Sequence, residues 1–183
     1  MNSLTTFRIG TAAILLTACS DPNDGESPEE MPPVAELANC NESDLQTIPF
    51  QGPFFDDAGV LTEPFPTSYI VATTAGWAKQ DPEIIMDIQA HNMDVMMDVF
   101  ARDGMYGAGF AWSDACGSSR TLSFWRDEAA LMEFVFGSPH VEAIGIMNRS
   151  THGWETVHWT EEMGAELPTF DEARIHLDET RDQ

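Results

Sequence analysis

The sequence predicts an α+β domain with the element order β-α-β-β-α-β and one further helix after it. Three observations carry this. Runs rich in β-branched and aromatic residues recur four times between Ser68 and Trp159. Segments bounded by helix-start and helix-stop signals stand between the first and second runs, and again between the third and fourth. Finally, 43% hydrophobic and 10% aromatic residues give this chain of 183 residues enough apolar material for one ordinary core.

Each element has a local reason. Ser68-Tyr69-Ile70-Val71-Ala72-Thr73-Thr74 reads as the first strand because β-branched side chains suit a pleated surface. Asp81-Pro82-Glu83 then opens a helix. The aspartate accepts from free first-turn N–H groups, and the proline has the φ that the first position needs. The helix is predicted to run to about Arg102 and stop at Gly104. Ile85, Ile88, Met96 and Val99 fall on its core face; Asp87, His91, Asp94 and Asp98 form a solvated stripe. Met105–Ser113 and Arg120–Trp125 are two strands joined by a hairpin turn through Asp114–Ser119. Asp127 caps a helix over 128–136 that ends at Gly137. Ser138-Pro139 starts another at once, carrying His140, Val141, Ile144 and Met147 to about Asn148. Trp154–Trp159 is the last strand, and Thr169 with Glu172 fits a capping box for a terminal helix to about Leu177. This is the ferredoxin-like order, a four-stranded antiparallel sheet with its helices on one face. The second face needs a cover, and a homodimer pressing two sheets together supplies one.

The chain before the domain divides by composition. Residues 1–18 hold no acid: Arg8 precedes the short apolar run Ile9–Ala18, too short to span a bilayer but fitting an export signal. The ending Leu16-Thr17-Ala18-Cys19 resembles the lipobox of bacterial lipoproteins. That resemblance implies acylation of Cys19, and Ser20 after it fits sorting to the outer membrane, facing the periplasm. Residues 19–47, with four prolines and dense like charge, read as a solvated tether. Residues 48–66 read as an irregular lead-in whose Phe50, Phe54, Phe55 and Phe65 pack onto the domain, which occupies 67–183. In an oxidising compartment Cys40 and Cys116 form the one remaining pair, read as a disulfide against the alternative of two buried thiols.

Charge excludes several functions. With 31 acidic and 8 basic residues the net charge is -23, and Lys79 is the single lysine. Nothing here can trace a phosphate backbone or dock on anionic lipid through basic residues, so membrane attachment is through the acyl anchor alone. Part of the excess belongs to the tether and lead-in, where ten acids and no base lie between Asp21 and Asp57. No His-Glu-x-x-His or Cys-x-x-Cys run marks a metal site; His91 with Asp87 and Asp94 on one helix face could take a cation, against the favoured alternative of a solvated acidic stripe, and neither a nucleophile elbow nor a phosphate loop occurs.

The stretch Thr121–Val135, followed by Ser138-Pro139-His140, resembles dimeric α/β-barrel proteins. With the ending His158-Trp159 and Pro168–Leu177 it is most similar to the DUF3291 group, and more distantly to the antibiotic-biosynthesis-monooxygenase-type superfamily. The resemblance covers about Tyr69 to Leu177 and implies the barrel fold and a homodimer. The superfamily includes cofactor-free monooxygenases and haem degraders, so it implies no single reaction. The haem degraders carry an asparagine on the first strand and a histidine further along the helix. Here the first strand has no asparagine, and the later helix positions hold Ile144, Ile146 and Met147.

Alternation places His158 and Trp154 on one face of the last strand, and Trp125 with Ser123 and Thr121 on one face of its own. A pocket lined by Trp125, His140, Trp154 and His158, with Phe110 and Trp112 from the neighbouring strand, has the apolar character of a small-ligand site. The bland alternative is that these aromatics fill a core. His140 is the candidate catalytic residue, against the alternative of a helix-end histidine bonded to backbone. Two functions follow: a lipid-anchored protein binding a small apolar ligand or a partner, needing no cofactor; or a monooxygenase-like enzyme, cofactor-free or haem-dependent, using His140.

Overall fold

The computed structural model describes residues 33–79, 81–163 and 166–182. The expected export signal and Cys19 lie outside them. Ten elements follow one another: α1 (Val34–Ala38), β1 (Gln46–Gln51), β2 (Tyr69–Ala78), α2 (Pro82–Phe100), β3 (Met105–Ser113), β4 (Ser118–Trp125), α3 (Glu128–Val135), α4 (Ser138–Ser150), β5 (Thr151–Glu161) and α5 (Phe170–Arg181). The strands form one antiparallel sheet in the order β1-β3-β4-β2-β5. Its last four strands are the ferredoxin-like sheet. The helix caps form as the sequence implies: Asp81 accepts from the Glu83 and Ile84 N–H groups, Asp127 from Ala130, and Thr169 closes its capping box with Glu172.

Several details differ from the sequence reading. The sheet has five strands, because β1 adds to the free edge of β3. A run containing Pro49 and mostly exposed side chains carries little alternation to announce it. The tether expected through residue 47 is folded from Pro33 on: Val34 and Leu37 pack against the core and Ala38 is buried. The lead-in therefore opens as a strand. On α2, Ile85, Ile88 and Met96 are only half-buried and Val99 alone is sealed, since this helix lies chiefly against α4. The terminal helix continues past Leu177 to Arg181, whose guanidinium pairs with Glu155 of β5 at 2.8 Å.

The two sheet faces are covered in different ways. Helices α2, α3 and α4 lie over one, with Val99, Ala130 and Leu131 packed on Met105, Ala108 and Trp125. The other, expected to await a second copy, is filled by the chain itself. Tyr69, Val71, Ala75, Trp77, Leu122, Phe124, Val157 and Trp159 form a core there with Ala173 and Leu177 of α5, Ala38 of α1 and Phe65. Phe50, Phe54 and Phe55 close over it. Glycines on β3 make room for them: a Cβ at Gly107 would stand 2.1 Å from the Phe55 ring, and one at Gly109 2.5 Å from Phe50. A sheet-to-sheet dimer was expected because this face was open, and it is not.

Polar contacts fasten the N-terminal segment. Cys40 and Cys116 are joined by a disulfide across 76 residues. Arg120, 5% exposed, pairs at 2.8 Å with Glu42, whose other oxygen accepts from the Ser118 hydroxyl. Asp44 accepts from the Ser113 hydroxyl and the Ala115 N–H, and these bonds, the serine's first, hold its carboxyl below the usual range.

Two losses are expected. Replacing both Cys40 and Cys116 by serine costs about 4 kcal/mol through the entropy of so long a loop. Glu42→Gln, which strands a buried guanidinium, costs about 3–5 kcal/mol. Urea unfolding midpoints of each variant against the oxidised wild-type chain measure both.

Candidate functional site

Antiparallel partners directly opposite one another share a face, so the registers give the floor beneath α2–α4 row by row. From β3 to β5 the rows are Met105, Trp125, Ile70, Thr160; Ala108, Ser123, Ala72, His158; Phe110, Thr121, Thr74, Thr156; and Trp112, Ser119, Gly76, Trp154. Five of the residues expected to line a pocket, Phe110, Trp112, Trp125, Trp154 and His158, therefore stand on one face. His140 comes from α4 above it.

They do not form one chamber. Trp125 is fully buried; its ring stacks on Phe134 with centroids 5.2 Å apart, and its Nε1–H donates to Ser123 Oγ at 2.9 Å. Phe134 in turn packs on His140 at 4.4 Å, and His140 Nδ1 donates to the Val135 carbonyl at 3.1 Å. These three rings form a packed column joining α3 and α4 to the sheet. Burial holds the His140 pKa below the ordinary imidazole value, although the Val135 hydrogen bond and nearby Asp98 pull it partly back. The group is thus neutral, stacked and tied to backbone. Its Nδ1 is taken by the Val135 carbonyl, which leaves Nε2 as the one ring nitrogen open to another partner.

The rest of this floor is different. Ile70, Ala72, Thr74, Phe110, Thr121, Ser123 and Thr156 are only half-buried, although β4 and β2 are inner strands and helices lie above them. On the opposite face of the same strands Val71, Ala75, Leu122 and Phe124 are 0% exposed and Thr73 2%. These residues stay partly accessible beneath the helices: α2 seals only Val99, and Ala72, Thr74, Thr121, Ser123 and Thr156 are small. The sequence offered a signal for this that the aromatic residues overshadowed. On its helix-facing side β2 reads Ile70, Ala72, Thr74, Gly76, Ala78, shrinking where an ordinary core strand stays bulky.

Half-buried Phe110, Trp112 and Trp154 border this cleft, and Met147 of α4 lies over Gly76. Trp154 is steadied by its Nε1–H, which donates to Asn148 Oδ1 at 2.9 Å. The floor hydroxyls give their protons away: Thr74 to Thr156 Oγ1, Thr156 to the Thr73 carbonyl, Ser123 to the Ala72 carbonyl. They are left as acceptors. His158, opposite Ala72 and 8% exposed, has a buried Nε2 with no hydrogen-bond partner, 3.8 Å from Glu128 Oε1 at the start of α3. The arrangement offers an apolar surface, hydroxyl oxygens that accept hydrogen bonds, and one imidazole nitrogen without a partner.

Elsewhere, a surface depression of about 290 Å³ is lined by Glu83, Ile84, Asp87, Arg149 and Ser150, none of them an expected pocket residue. Among the described residues no group of three or more His, Cys, Asp or Glu could hold a metal ion, and no helix is long and apolar enough to cross a membrane.

No family model matches the chain and no curated protein matches it. Its likeness to the DUF3291 group rests on the residue pattern alone. Among solved structures, an antibiotic biosynthesis monooxygenase overlays at 13% identity and a TM-score of 0.44, covering 54% of this chain and 99% of that one. SnoaB, a cofactor-independent oxygenase from Streptomyces nogalater, overlays at 11% identity and 0.45, covering 55% and 98%. LmHde, a haem-degrading enzyme from Listeria monocytogenes, gives 11% and 0.44, covering 62% and 69%. The ferredoxin-like assignment stands on the strand order and registers of this chain.

The His140 shift has a pH consequence. Its folded value lies below that of the unfolded chain, about 6.5, so the unfolded chain takes up the proton first on acidification. The stabilisation from a neutral His140 is complete above that value. It declines as pH falls toward the folded value, then levels off. His140→Gln should flatten this component of denaturant midpoints measured between neutral and mildly acidic pH.

Proposed function

We propose that this domain binds a small, largely apolar, planar molecule in the cleft between the sheet and α2–α4. The observation that carries the reading is the asymmetry of the inner strands: dry on one side, half-open on the other beneath a helical layer. Phe110, Trp112 and Trp154 supply the apolar walls. The Thr74, Thr156 and Ser123 oxygens accept hydrogen bonds, and His158 orients the ligand through Nε2. Burying aromatic area contributes about 25 cal/mol per Å². One hydrogen bond to an otherwise unpartnered imidazole nitrogen contributes about 1 kcal/mol.

A monooxygenase-like reaction in the same cleft is the second reading, favoured by the 3.8 Å approach of Glu128 to His158. His158, with its unpartnered Nε2, and His140, with Nδ1 held by the Val135 carbonyl, are the two imidazoles such a reaction could use. In either case we place the domain on the cell envelope, carried by acyl chains on Cys19 and facing the periplasm.

Three substitutions test this. Ala72→Phe fills the floor beside His158 and should abolish retention of any small molecule seen by native mass spectrometry of the wild-type chain, and of a planar fluorescent probe. His158→Gln should weaken probe binding roughly fivefold to tenfold, as one hydrogen bond of about 1 kcal/mol implies. Equal binding by wild type and Ala72→Phe, with both folded by circular dichroism, would falsify the cleft assignment. For the anchor, Cys19→Ser should remove metabolically incorporated palmitate and shift the protein out of the membrane fraction.

A further inference from the structure

We infer that this chain supplies its own second layer: residues 33–66 and α5 occupy the sheet face that a second copy would otherwise cover, and the domain works as a single subunit. The reasoning begins with what an open sheet requires. The face opposite α2–α4 carries Val71, Ala75, Trp77, Leu122, Phe124, Val157 and Trp159, too much apolar surface to leave in water. Each of them is 0–2% exposed in one copy of the chain. Nothing remains there for a partner to bury.

The cover is built in rather than laid on. Phe50 contacts Phe55, Phe124 and Phe170, so lead-in, sheet and α5 share one aromatic cluster. Phe65 meets Tyr69, Tyr106 and Phe124 in the same way. The β3 surface is recessed at Gly107 and Gly109 to take the Phe55 and Phe50 rings, a fit to this segment and not to the regular surface of another sheet. The cover is also held at both ends. Cys40–Cys116, Glu42–Arg120 and Asp44–Ser113 fix its beginning, and Arg181–Glu155 ties the end of α5 to β5. To pair sheet on sheet, two copies would have to break a covalent bond and strip a buried guanidinium of its carboxylate.

Light scattering on the full chain carrying Cys19→Ser, kept oxidised, tests the inference without reference to any ligand. The expected mass is that of one chain, 20.2 kDa, from nanomolar to high micromolar concentration. A mass of two chains over that range overturns it. Gly109→Val drives the Phe50 ring off the sheet and should produce self-association that grows with concentration, together with a lowered melting temperature. Gly145→Ala, whose added methyl meets nothing within 4 Å, should leave mass and melting temperature unchanged. If Gly109→Val does not accumulate folded, Gly107→Ala, whose methyl meets the Phe55 ring first, gives the same reading. A glycine variant that stays a single chain with the wild-type melting temperature shows that the lead-in is not the cover, and the inference fails.

Discussion

Arg120 sits on β4, the middle strand of the sheet, 5% exposed on the face that carries Ala75, Leu122 and Phe124. A cation there, taken out of water, costs several kcal/mol unless a carboxylate meets it. Glu42 is that carboxylate, itself 7% exposed, and Ser118 satisfies its remaining oxygen. Such pairs contribute little net stability compared with apolar residues of equal volume, because two desolvations oppose one attraction. What the pair does is fix a position. With residue 42 held on Arg120, Cys40 lies against Cys116, Asp44 reaches Ser113, and the chain enters β1 at the register that sets Phe50 and Phe55 over the two β3 glycines.

The difference between the sheet faces follows from that placement. Because the N-terminal segment and α5 seal one face, the stability of the fold does not depend on tight closure of the other. The helical layer is free to stand partly off the sheet, with α2 leaning on α4. The sealed aromatic layer behind β2 and β4 makes the sheet the more rigid side of that gap, and the helices the looser one.

Much of the fold was legible in the sequence because its signals are local. Asp81, Asp127 and Thr169 mark helix starts within a few residues of the groups they cap. Alternation along Trp125-Phe124-Ser123 or His158-Val157-Thr156 assigns faces without knowledge of neighbours. That is why five of the six expected pocket residues do share a face. Which of them stays accessible was not legible, since it depends on what a distant helix places above: Phe134 stacks on Trp125, which is fully buried, while Thr74 stays half-buried. The stretch 33–47 was misread for a related reason. Glu42 and Asp44 resemble the solvated acids of a tether, and their partners Arg120 and Ser113 lie some seventy residues away in sequence.

The disulfide also determines how the domain carries load. Tension applied to the chain on the N-terminal side of residue 40 reaches Cys40 and passes through its sulfur into Cys116, in the turn between β3 and β4. From there it is shared along two hydrogen-bonded strands. The weak edge, where β1 meets β3 by a short ladder interrupted by a bulge, lies inside the closed loop and bears none of the pull. A domain tethered at that end can be tugged without being unzipped from its own edge.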